Sequence, residues 1–162
     1  MCLMCEGYSE QEVLDEFGGR VRRKGWMTLG VDAWPRWAYT IGLSATFDHP
    51  ELIVVHPSLD KDDDLIGHAV DEIAEGRRFD EDSIFEIPCG GMARFERVHD
   101  DNLRGEWFTR WSDVSAAAGH ETTLSSALQL IIACDCRACR GQVRLRRPRR
   151  HVPPGRRGRH VR

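Results

Sequence analysis

The stretch W-A-Y-T-I-G-L-S-A-T-F-D-H-P-E-L-I-V-V, residues 37–55, decides the fold. Trp37, Tyr39, Ile41 and Leu43 alternate with Ala38, Thr40 and Gly42, the two-residue period of a strand. The residues TFDHP then break the chain, and Leu52 to Val55 form an uninterrupted apolar run, as expected of a central strand covered on both faces. Just upstream, Met27, Leu29 and Val31 share one face of a short strand, and AWPR, residues 33–36, supplies a turn. A β-hairpin followed by a buried strand is therefore complete by about residue 56.

Working outward, Ser9 and Glu12 have the spacing of a capping box, and Val13, Leu14, Phe17 and Val21 recur on one helical face. This predicts a first helix from Glu10 to Lys24 that stops at Gly25. Gly18 and Gly19 oppose it, since each costs roughly 1 kcal/mol against Ala inside a helix. Downstream, DKDDD at residues 60–64 precedes the apolar stripe Leu65, Ile66, Ala69, Val70, Ile73 and Ala74, with Gly76 placed to end that helix. SIFEI (83–87) and MARFERV (92–98) read as two strands around PCGG, and SALQLII (126–132) as a last strand. Leu103, Trp107, Trp111 and Val114 mark a third amphipathic helix between them. The order α-β-β-β-α-β-β-α-β predicts an α+β domain of two layers, with a mostly antiparallel sheet and about three helices.

A chain of 162 residues, 41% hydrophobic and 30% charged, suffices for one domain with a real core. It begins with no basic and apolar leader, and its longest apolar runs fall far short of a membrane span, which places it in the cytoplasm. Its charge is uneven. Residues 137–162 hold eleven Arg and no acidic residue, whereas residues 1–136 hold 12 basic against 26 acidic residues. That splits the chain into a domain over 1–136 and an Arg-, Pro- and Gly-rich tail over 137–162, too poor in apolar residues to order itself. Such a basic arm suits nonspecific nucleic-acid binding or contact with its own acidic body; without aromatic residues it does not suit stacking on bases.

Cysteines sit at both ends of the predicted domain. Cys2 and Cys5 form one Cys-x-x-Cys pair, Cys136 and Cys139 a second, and Cys134 is an alternative ligand. Two such pairs can place four thiolates around one tetrahedral zinc, a closed site that serves structure. A redox dithiol and free thiols without a role are the competing readings. Cys89 in PCGG reads as a turn or core thiol. No P-loop, dinucleotide fingerprint, nucleophile elbow or His-Glu-x-x-His pattern is present. The residues left for chemistry lie at the ends of the opening strands. In an alternative enzyme reading, that of a small-molecule hydrolase, Thr40, His49 and Glu51 are the candidate catalytic groups, with Tyr39 beside them and small residues Ala38, Thr40 and Gly42 leaving space for a shallow pocket. Trp34 and Trp37, flanking Pro35, are placed to rim it.

The segments MCLMCEG, GWMTLGV, WAYTIGL and FDHPELIVV, in that order, resemble the DUF4262 family of uncharacterised bacterial domains over about residues 1–130. Tyr39, Thr40, Gly42, His49, Pro50 and Glu51 carry the resemblance. It implies a short Cys-containing N-terminus and no established activity. The RLRRPRR tail departs from it.

Overall fold

A computed structural model describes residues 7–55, 62–87, 90–133 and 144–145. Helix α1 runs Glu10–Lys24 as its pattern predicts. Its capping box is closed: the Ser9 N–H donates to Glu12 at 2.8 Å, and the Glu12 N–H donates to the Ser9 hydroxyl at 3.3 Å. Gly25, at φ +83°, ends the helix and donates its N–H to the Val21 carbonyl.

Strands β1 (Met27–Val31) and β2 (Trp37–Ile41) form the expected hairpin, and β3 (Glu51–Val55) pairs antiparallel to β2. After helix α3 (Asp62–Ala74) come β4 (Ile84–Glu86) and β5 (Met92–Arg97), then β6 (Ala127–Ala133). The six strands form one sheet in the order β1-β2-β3-β6-β5-β4, antiparallel except where β3 and β6 run parallel. The α+β class and mostly antiparallel sheet read from the sequence are what the chain forms.

The alternation in β2 and β3 feeds two separate cores. Ala38, Leu52 and Val54 pack with Leu65, Ile66, Ala69, Val70 and Ile73 of α3. Tyr39, Ile41, Ile53 and Val55 pack on the other side with Val21 of α1 and with Trp111, Val114 and Ala118. Every residue of β2 and β3 is consequently buried. Helices cover both faces of the central strands, so the two layers anticipated gain a third.

Two helical details also differ from the sequence pattern. A five-residue helix, α2 (Leu43–Phe47), occupies the connection read as a break. The single helix expected around Trp107 and Trp111 is divided into α4 (Asp100–Leu103), a 3-10 turn at Glu106–Phe108, and α5 (Trp111–Ala118). The division follows from tertiary contacts: the Trp107 carbonyl accepts the Trp37 indole N–H at 2.9 Å, while Trp111 turns into the core.

Gly18 has a use that helix propensity hides. A Cβ there would lie 2.7 Å from the Ala117 carbonyl carbon, so its absence lets α1 cross α5 at backbone contact. Beyond β6, Leu145 donates its N–H to Gln129 at 2.8 Å and packs on the α1/α5 core, inside the segment expected to be a disordered tail. No helix among the described residues is long and apolar enough to cross a membrane.

Candidate functional site

Thr40 and Glu51, eleven residues apart in the sequence, meet where β2 gives way to α2. The Thr40 hydroxyl donates to Glu51 Oε2 at 2.6 Å and accepts the Leu52 N–H at 2.8 Å. Glu51 Oε1 accepts the Gly42 N–H at 3.0 Å, the Ser44 N–H at 3.3 Å and the Ser44 hydroxyl at 3.1 Å, while Oε2 also accepts the Leu43 N–H at 3.3 Å. A carboxylate offers about four lone-pair positions, and five donors saturate it. Glu51 thus does from the start of β3 what an N-cap residue does locally, satisfying the first N–H groups of α2. Burial pushes its carboxyl pKa up, and the hydrogen bonds from Thr40, Ser44 and Gly42 pull against that rise.

The fold also requires Gly42. It sits at φ +108°, and a Cβ there would come 2.5 Å from the Gly25 carbonyl oxygen. The close approach that a small residue permits at this point is filled by the chain's own backbone.

His49 is buried, with both ring nitrogens engaged. Its Nδ1 lies 2.7 Å from the Pro50 carbonyl oxygen, and Nε2 accepts the Phe79 N–H at 3.1 Å. The tautomer with its proton on Nδ1 satisfies both contacts. Burial holds the His49 pKa below its ordinary value. Tyr39 belongs to the opposite core, where its hydroxyl accepts the Arg110 N–H at 3.2 Å and burial pushes its pKa up to about 12. The structure therefore brings Thr40 and Glu51 together, commits His49 to a latch between two loops, and places Tyr39 on the other face. Trp34 is 81% exposed whereas Trp37 is buried against Trp107, so the two do not rim a pocket.

All six cysteines lie outside the described residues. Among the described residues there is no group of three or more His, Cys, Asp or Glu side chains arranged to hold a metal ion.

Open space lies on the other side of α2. A recess of about 280 Å³ is walled by Gly42, Ser44 and Ala45, by Trp111 and Ser115 of α5, and by the polar approach to β6 that includes His120, Thr123 and Ser125. It adjoins a wider groove of about 580 Å³ along α4 and α5, with Trp111, Thr123 and Ser125 in both walls. Sequence reading passed over these residues. Trp111 reads as helix packing, and residues 120–125 match no motif, although a loop held by a rigid scaffold is a common place for binding groups.

Together these features define a small α+β domain with a mixed sheet, a buried carboxylate that organises its central turn, and a polar recess beside it. The chain belongs to the family described as "Domain of unknown function (DUF4262)", whose model matches residues 20–135. That match begins within α1 and continues just past β6, so Cys2 and Cys5 precede it and Cys134 falls inside it. No curated protein and no solved structure matches this chain.

Proposed function

We propose that the domain is a binding or regulatory module that takes a small polar ligand in the recess between α2, α5 and residues 120–125. Ser44 carries the reading. It lines the recess and also gives its N–H and hydroxyl to Glu51. An occupant would therefore sit one residue from the node that joins β2, α2 and β3, a direct route from occupancy to the stability of the central turn. The hydrolase reading finds less support, because Glu51 and both His49 nitrogens are already occupied by structural partners.

The test is native mass spectrometry of the full chain purified from a cytoplasmic host, for a co-purifying small molecule, compared with Ala45→Phe. Ala45 is exposed on the recess wall, so the larger ring narrows the recess without entering the core. A bound mass lost in the variant supports the site. An identical bound mass in both proteins places the ligand elsewhere.

A structural zinc on Cys2, Cys5, Cys136 and Cys139, with Cys134 as the alternative ligand, is a second proposal. Leu14 of α1 and Leu145, beyond the second cysteine cluster, pack against the same core, which brings both ends of the described chain to one face of the sheet. Elemental mass spectrometry on tag-free protein purified without chelator checks it. About one zinc per chain, lost in a Cys2→Ser, Cys5→Ser double variant, is expected. No metal in either protein returns these cysteines to the dithiol or free-thiol readings.

A further inference from the structure

Three buried polar atoms have no hydrogen-bond partner among the described residues: Trp111 Nε1, Ser115 Oγ and His120 Nδ1. All three residues wall the same recess. Trp111 is 4% exposed and Ser115 only 1%. Unpaired buried polar atoms are few in native proteins, and each calls for a cause. Their convergence is informative because the neighbouring buried groups Thr40, His49 and Glu51 are fully engaged.

We infer that the recess holds an uncharged, hydroxyl-rich small molecule of the polyol or sugar class, anchored by Trp111, Ser115 and His120. This rests on the recess being the ligand site proposed above. The chemistry follows from the walls. An indole N–H only donates, so Trp111 requires an acceptor, whereas a serine hydroxyl and a histidine nitrogen accept either role according to rotamer and tautomer. A ligand hydroxyl both donates and accepts, so one functional group answers all three. Ser44, Thr123 and Ser125 extend the same hydroxyl-lined surface.

Charge argues the same way. Among the described residues no Lys or Arg lines the recess, Glu121 is on its wall, and the Glu51 carboxylate lies behind Ser44. An anion taken from water into that setting would meet no compensating cation among the described residues. A volume of about 280 Å³ lies just under the roughly 300 Å³ at which ligand pockets begin, which limits the occupant to a small molecule. Since the three anchor atoms are themselves covered, entry turns the Ser115 and His120 side chains between rotamers.

The experiment is a ligand-panel titration of the full chain, followed through tryptophan indole N–H signals in ¹⁵N–¹H spectra. The chain has five Trp, and Trp111→Phe assigns the relevant signal. The panel contains glycerol, inositol and glucose as neutral probes, acetate and inorganic phosphate as anions, and ethanolamine as a cation. Neutral probes are expected to move the Trp111 signal most. Ser115→Ala should weaken the tightest of them roughly tenfold, the equivalent of one anchoring hydrogen bond, while the Tm stays level or rises because an unpaired hydroxyl has gone. Signals moved by anions or by ethanolamine, with neutral probes silent, overturn the ligand class and leave the recess as a binding site. Silence across the whole panel overturns both. A Ser115→Ala protein with lower Tm and unchanged affinity makes that hydroxyl structural and removes it as an anchor.

Discussion

Replacing Glu51 with Ala should be among the most damaging single changes available in this chain, although the residue touches no ligand. The substitution removes the acceptor of three backbone N–H groups, those of Gly42, Leu43 and Ser44, and of two hydroxyls, those of Thr40 and Ser44. The hydroxyls can rotate toward other partners. The backbone groups are fixed by the αL turn at Gly42 and by α2. At about 1–3 kcal/mol for each buried donor left unmet, three N–H groups give roughly 3–5 kcal/mol at the lower end of that range. A domain of this size has about 5–15 kcal/mol in total, so about a fifth or more of its stability is at stake. The corresponding fall in Tm is about 10–15 °C. Glu51→Gln should lose roughly half as much, because its amide oxygen can serve one set of donors while its NH₂ confronts the other. Urea titrations of the three proteins, with Tm as a second reading, measure the effect. A loss below about 1 kcal/mol for Glu51→Ala would refute the idea that this carboxylate organises the turn.

The remaining predictions concern His49 and the α1–α5 crossing. Burial lowers the folded-state pKa of His49 below its ordinary 6.5, so its contribution is complete above that value and is lost as pH falls through the lowered one. Urea midpoints measured from about pH 8 down to about pH 5 should fall more steeply for the wild type than for His49→Gln; parallel curves would mean that His49 does not titrate against folding. Gly18→Ala should destabilise by about 1–3 kcal/mol despite a gain in helix propensity, because the new Cβ would lie 2.7 Å from Ala117 backbone. Gly19→Ala is its control. There the nearest atom is the flexible end of Arg23 at 3.2 Å, and a small stabilisation of about 0.5–1 kcal/mol is expected from the same urea measurement.

The two glycines show how far local rules carry. Both cost the isolated helix the same amount, and α1 forms across them because Ser9, Glu12 and Gly25 fix its ends and Leu14, Phe17 and Val21 face a core. Which glycine is required depends on where α5 crosses, and that is invisible in one sequence. The same holds for α2. Its first N–H groups are satisfied by a carboxylate seven to nine residues further on, outside the reach of any local capping pattern.

The candidate site divides along similar lines. Thr40 and Glu51 stood out in the sequence as polar residues beside apolar strands, and they do meet, but only the packed structure shows that the pair is sealed and saturated. Ser44, Trp111, Ser115 and His120 come from three segments and gained no signal from spacing. By itself the sequence determined the strands, the long helices, the α+β class and the family, because hydrophobic period and end-capping act over a few residues. Tertiary structure decided which faces the helices cover, which polar groups find partners and where a recess stays open, because those depend on distances between segments far apart along the chain.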